Sequence, residues 1–131
     1  RIDQRICISC SKCLAMCPVG AINIPWGSTT KEIFCERLAE YALAAVSSRQ
    51  CFYLNFVMSI TKDCDCHNEP MPILTPDIGL LLSADPVALD QASYDLINNQ
   101  YPEFSQFGGL EQLSHGEKIG LGQRQYELIN L

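Results

Sequence analysis

The sequence lacks any long apolar run. A helix that spans a bilayer needs about 20 consecutive apolar residues. The longest candidate, "CFYLNFVMSI" at residues 51–60, is interrupted by Asn55 and is too short. The N-terminus begins at Arg1 and lacks both an initiator methionine and a basic-then-apolar leader. We therefore expect no membrane span, and a chain that was processed or is a fragment of a longer polypeptide.

Positive charge is scarce. Nine Lys and Arg stand against 15 Asp and Glu in 131 residues, so the formal net charge is −6. Affinity for nucleic acid comes largely from Lys and Arg that neutralise phosphates. The composition therefore argues against nucleic acid as a partner.

Cysteine, by contrast, is abundant, and half of the eight cysteines lie in "CISCSKCLAMCP". Their spacing, C-x2-C-x2-C-x3-C-P, is that of bacterial-type ferredoxins. Short gaps let a turning chain point consecutive thiolates at one cluster while its N–H groups face the sulfur atoms. The spacing predicts a [4Fe-4S] site, and the alternative is a zinc knuckle, although zinc sites usually divide their ligands into two separated pairs. The four candidate ligands are Cys7, Cys10, Cys13 and Cys17.

A second cysteine run of this kind is absent, and this raises the question of which cluster each thiol serves. In two-cluster ferredoxins the fourth cysteine of a run binds the other cluster. Pro18 should end the short helix that carries "LAMC", and Gly20 should form a corner after it. Free thiols in a cluster motif fit a reducing cytoplasm better than a disulfide framework.

The rest of the chain predicts a mixed α/β fold. The junction "PWGSTTKE" separates a ferredoxin-like segment, residues 1–27, from part of an α/β domain, residues 28–131. Two apolar runs, 51–60 and 77–83, are typical of strands covered on both faces. Helices should run from near Thr30 to about Ser47, and from Pro86, capped by Asp85, to about Asn98.

The first of these helices should bury one apolar stripe, with Cys35 beside it as a small buried hydrophobe. The stripe consists of Phe34, Leu38, Ala42 and Ala45. In the C-terminal part, His115 stands beside a glycine and is expected at the surface.

A long loop between the strands, "TKDCDCHNEPMPILTP", carries a second candidate site. Cys64, Cys66 and His67 could hold a soft metal with help from elsewhere, or the thiols could simply be buried. Asp90 falls on an apolar arc of its helix. It either accepts hydrogen bonds from loop N–H groups near the helix start or acts as a ligand or proton-handling group facing this loop.

Four segments together resemble a known prokaryotic family. These are "CISCSKCLAMCPVGAI", "FYLNFVMSITKDCDC", "TPDIGLLLSADPVALDQASYDLIN" and "EKIGLGQRQYELINL". They are similar to the C-terminal part of the uncharacterised Fe–S center proteins, in which a domain of unknown function is joined to a ferredoxin-type segment. The resemblance implies that Cys7, Cys10 and Cys13 bind a cluster completed by a cysteine from an absent first run. It also implies that Cys17 serves the other cluster.

Three functions follow as hypotheses. The first is electron transfer through the cluster, to or from a redox partner protein or the missing N-terminal part of the polypeptide. The second is a metal-dependent enzyme domain with its site at the Cys64 and Cys66 loop. The third is a structural or oxygen-sensing metal site without redox turnover. A truncated domain would also expose strand edges, and we expect a homo-dimer through such a surface.

Overall fold

A computed structural model of the chain describes residues 2–3, 5–8, 10–23, 29–63 and 69–131. The chain divides into two compact units, Arg1–Thr30 and Lys31–Leu131. The first unit contains the short helix α1, Lys12–Met16. The second contains helices and a β-ribbon, which confirms the expected mixed α/β class. Its elements are α2 (Lys31–Val46), β1 (Tyr53–Val57), β2 (Gly79–Ser83), α3 (Pro86–Gln100), a 3-10 helix (Pro102–Phe107) and α4 (Leu110–Lys118).

The two strands form an antiparallel ribbon whose inner face is covered by α3. Tyr53 pairs with Ser83 at one end and Val57 with Gly79 at the other. Asn55, at the centre of β1, donates one side-chain hydrogen bond to Asp90 Oδ1 at 2.8 Å and another to Ser93 Oγ at 2.9 Å. These bonds fix which face of β1 turns towards α3.

Burial in the second unit is concentrated where α3 meets the ribbon and where α2 meets α4. The buried apolar residues are small or aliphatic, as expected for close helix packing. They are Cys35, Ala39, Val57, Val87, Ala88, Leu89, Ala92, Ile97 and Leu113.

The start of α3 confirms its predicted cap. Asp85 Oδ1 accepts the backbone N–H groups of Val87 at 2.8 Å and Ala88 at 3.0 Å. Pro86 occupies the first turn, where its missing N–H is no loss. The helix ends at Gln100, two residues beyond the predicted Asn98.

The C-terminal segment is held on α3 by side-chain hydrogen bonds. Arg124 Nε donates to Gln91 Oε1 at 2.8 Å, and the Tyr126 hydroxyl donates to Asp95 Oδ2 at 2.9 Å. Asp85 also reaches this segment through the N–H of Gln123.

The predicted stripe of α2 is wrong by one residue position, although the helix itself is confirmed. Phe34 and Leu38 are 55% and 42% exposed, and Ala42 and Ala45 are exposed as well. The buried positions are Ala39 and Cys35, and the burial of Cys35 was expected. The reason is that α4 packs against the side of α2 that carries these smaller residues.

The two strands are confirmed. The expectation that both of their faces are covered is wrong, because one face is exposed. Leu54 and Phe56 of β1 are 49% and 66% exposed, and their partners on β2 are exposed too. The helix α3 covers only the opposite face. Within the described residues of the second unit, no other helix or strand packs on the outer face of the ribbon.

His115 is not a surface residue. Its side chain is only 13% exposed, and it lies between two glutamates of α2. Nδ1 is 3.7 Å from Glu36 Oε1, and Nε2 is 3.4 Å from Glu40 Oε1. The buried Nε2 makes no aligned hydrogen bond, so the contact joins α4 to α2 by charge whenever the imidazole is protonated.

None of the helices in the described ranges has the length and apolar character required to cross a membrane.

Candidate metal centre

The cysteine run is preceded by a turn that begins at Asp3. The backbone oxygen of Asp3 accepts the N–H groups of Ile6 at 3.2 Å and Cys7 at 3.0 Å. Its carboxylate binds Arg5, whose Nη2 lies 2.9 Å from Asp3 Oδ2. The guanidinium of Arg5 lowers the pKa of Asp3, chiefly by side-chain hydrogen bonding. This turn places Cys7 at the entrance of the run.

The middle of the run changes direction at Ser11 and then enters α1. Ser11 has φ 57°, in the left-handed region that non-glycine residues rarely adopt. The helix that follows carries Cys13 in its first turn. Because the backbone changes direction at Ser11, the segments that carry Cys10 and Cys13 run in different directions.

The end of the run confirms the predicted stop. The helix ends at Met16, Cys17 is its extended C-terminal cap, and Pro18 follows. Gly20 has φ 60° and donates its N–H to the carbonyl of Cys17 at 3.3 Å. Glycine suits this corner because it takes a positive φ without steric cost.

This corner surrounds the sulfur of Cys17 with backbone donors. The N–H of Ala21 lies 3.2 Å from Cys17 Sγ. Hydrogen bonding from Ala21 first, and from Val19 next, lowers the pKa of the Cys17 thiol. Donors aimed at the sulfur favour the thiolate, which is the form that binds metal.

The other three thiols of the run are open to solvent. Cys7, Cys10 and Cys13 are exposed, whereas Cys17 is half-buried. Among the residues that the structure describes, no three His, Cys, Asp or Glu side chains converge as a ligand set. The structure thus shows the turns that carry the four cysteines and a prepared environment for one of them, without bringing the four thiols together. Ser9, in the first gap, lies outside the described residues.

The donor set nevertheless fits an iron–sulfur cluster. Cluster irons are held by cysteine thiolates, and hydrogen bonds to the sulfur atoms stabilise them. Cys17 already accepts such a bond, and the exposed Cys7, Cys10 and Cys13 are accessible to an incoming cluster.

The second candidate site lies outside the described residues. Cys64, Cys66 and His67 are all in the segment 64–68, so a metal site there stays a prediction. Asp90, the fourth member of that set, is exposed. Among the described residues its side-chain partner is the amide of Asn55, and a bond to N–H groups of the loop stays a prediction.

The two remaining described cysteines lie in the second unit. Cys35 is buried in the contact of α2 with α4, and Cys51 is half-buried just before β1. Burial first, and the neighbouring Cys51 next, raise the pKa of Tyr53. Cys35 therefore belongs to the packed core of the second unit.

Sequence reasoning missed one cluster of ionisable groups, His115 with Glu36 and Glu40. The two glutamates are four positions apart on α2 and so share a helix face, which was the available signal. Nothing in the sequence indicated that α4 would bring a histidine to that face.

Comparison with known proteins gives one match. A family model described as "Domain of unknown function (DUF362)" matches residues 9–95, from the cysteine run to the middle of α3. No curated protein and no solved structure matches the chain. The matched range covers more than half of the sequence, and the chain therefore belongs to the DUF362 family.

Proposed function

We propose that the unit Arg1–Thr30 binds a [4Fe-4S] cluster through Cys7, Cys10, Cys13 and Cys17, and that the protein transfers electrons. The observation that carries the proposal is the N–H of Ala21 at 3.2 Å from Cys17 Sγ, within a run whose spacing is that of ferredoxins. When bound, such a cluster accepts and releases single electrons. The residues of the run hold it and set its hydrogen bonding.

Solvent exposure supports electron transfer rather than a purely structural centre. Cys7, Cys10 and Cys13 are exposed, so a cluster held by them would lie near the surface. A partner protein, or another part of the same polypeptide, could then approach closely enough to exchange an electron. Thiolate ligands also require a reducing compartment, and we place the protein in the cytoplasm on that ground.

The test is anaerobic quantification of iron, zinc and acid-labile sulfide, with visible absorption before and after dithionite. We expect about four irons and four sulfides per chain and absorption that bleaches on reduction. Cys13→Ser should lose most of the iron. Cys51→Ser is the matched control, because Cys51 is a free cysteine outside the run.

Two results would contradict the proposal. Stoichiometric zinc with little iron would indicate a structural site. Equal iron loss in the Cys13→Ser and Cys51→Ser chains would show that the run is not the ligand set.

A further inference from the structure

The outer face of the β-ribbon is a continuous apolar surface. Leu54 lies directly opposite Leu82, and Phe56 lies opposite Leu80. These four side chains are 49%, 69%, 66% and 59% exposed, in that order. We name them the apolar ladder. It contains no charged or polar residue.

Two further apolar side chains, one on either side of β1, complete the apolar ladder and bring it to six residues. Phe52 and Met58 flank β1 with the same alternation and are 81% and 42% exposed. Together the six side chains offer roughly 700 Å² of apolar surface, since large apolar side chains each cover on the order of 200 Å² when fully exposed. The largest apolar patch on an ordinary monomer is about 300–600 Å². The ribbon therefore exposes more apolar surface than a stable monomer usually does.

The orientation of this face is fixed. Asn55 lies between Leu54 and Phe56 and points the other way, where it donates to Asp90 at 2.8 Å and Ser93 at 2.9 Å. A slip of one residue would exchange the two faces of β1. It would break both hydrogen bonds and turn Asn55 outwards, so the ladder cannot be buried against α3 instead.

We propose that the apolar ladder packs face to face against the apolar ladder of a second copy of this chain. The estimated area of roughly 700 Å² per copy approaches the ~800 Å² that each partner contributes to a standard interface. An uncharged, entirely apolar face is complementary to itself under a twofold axis. It also offers no charge for a different partner to recognise. Sheets that pack this way lie about 10 Å apart and interdigitate their side chains.

Net charge sets the salt dependence of this dimer. Each chain carries a formal charge of −6, so two copies repel one another at long range. Added salt screens that repulsion, and the dimer should tighten as ionic strength rises. This inference concerns the second unit and is independent of the proposed cluster.

The experiment is sedimentation velocity of the full chain over a range of concentrations, with two charge substitutions compared. We expect a dimer for the natural sequence and a dissociation constant raised roughly tenfold or more by Phe56→Glu. Phe34→Glu is the matched control, because Phe34 is a phenylalanine of α2 that is 55% exposed, close to the 66% of Phe56, and lies off the ribbon. Its dimer should be unchanged.

A second measurement keeps the test decisive if Phe56→Glu fails to fold. A photoreactive phenylalanine analogue placed at position 56 should cross-link two chains, whereas the same analogue at position 34 should not. A monomer at every concentration, a dimer that tolerates Phe56→Glu, or a cross-link from position 56 to a foreign protein would each overturn the proposal.

Discussion

The carboxylate of Asp85 accepts the backbone N–H of Gln123 at 2.8 Å, across 38 residues of sequence. Its other oxygen caps α3 through the N–H groups of Val87 and Ala88. One side chain thus begins a helix and also anchors the C-terminal segment to it. A hydrogen bond from a backbone N–H to a carboxylate is stronger than one to a neutral acceptor.

The first prediction separates these two roles by Asp85→Asn. Asparagine is also a good N-cap, so α3 should persist, but its amide NH₂ would face the N–H of Gln123 and two donors would meet. We expect a loss of about 1–3 kcal/mol in the free energy of unfolding. Urea unfolding measures the loss, and hydrogen exchange should show faster exchange in residues 121–126 than in α3.

Asp85→Ala is the comparison for that experiment. It removes the cap as well as the anchor, so its loss should exceed that of Asp85→Asn. Equal stability of the Asp85→Asn chain and the natural sequence would contradict the anchoring role.

The second prediction concerns Gly122. A Cβ at this position would overlap the carboxylate of Asp85. Gly122→Ala should therefore push the carboxylate away and cost about 1–3 kcal/mol of stability. In an Asp85→Ala background the same substitution should be nearly neutral, because the obstructing oxygens are gone.

A double-mutant cycle measured by urea unfolding tests this coupling. Residues that share a contact give non-additive changes. Additive losses from Gly122→Ala and Asp85→Ala would show that the clash is relieved elsewhere.

Features encoded by neighbouring residues could be predicted from the sequence. Asp85 followed by Pro86 specifies the start of α3, and the structure places both as expected. Pro18 and Gly20 specify the end of α1 and the corner after it. In each case the decisive hydrogen bonds are within a few residues, so no tertiary information is needed.

Features decided by distant packing could not be predicted. The sequence of α2 is apolar on more than one side, and the choice between the Phe34 side and the Cys35 side is made by α4, which comes far later in the chain. The same helix contact brings His115 to Glu36 and Glu40. The exposure of the outer face of the ribbon could not be predicted either. A continuous apolar run indicates that a strand is buried, but it does not show which element covers each face.

The third prediction is an alkaline transition at Tyr126. Burial first, and then its hydrogen bond to Asp95 and the charge of that carboxylate, raise the pKa of the Tyr126 phenol. A raised pKa means that the folded state favours the protonated phenol. The stabilisation is therefore fully present below the phenol's ordinary pKa of about 10 and is lost as pH rises through the raised value.

Tyr126→Phe is the variant that tests this transition. Phenylalanine has no hydroxyl that could lose a proton. The difference in free energy of unfolding between the natural chain and Tyr126→Phe should therefore shrink at alkaline pH. Because the pKa of Tyr53 is also raised, the phenolate absorbance of Tyr126 should be read as the difference between the natural chain and Tyr126→Phe. If the phenolate of Tyr126 forms at or below the ordinary phenol pKa of about 10, the prediction is contradicted.

The fourth prediction concerns the reactivity of Cys17 in the metal-free chain. The N–H of Ala21 is the largest cause of its lowered pKa, and Ala21→Pro removes that donor. The thiolate should then form at higher pH, and alkylation of Cys17 by iodoacetamide should require a more alkaline solution. Peptide mass spectrometry over a pH series gives the alkylation rate at this residue.

Ala21→Gly is the control, because it keeps the N–H and should follow the natural chain. If Ala21→Pro and Ala21→Gly show the same pH dependence, the hydrogen bond to Cys17 Sγ does not control the thiol, and the local support for the proposed cluster site is lost.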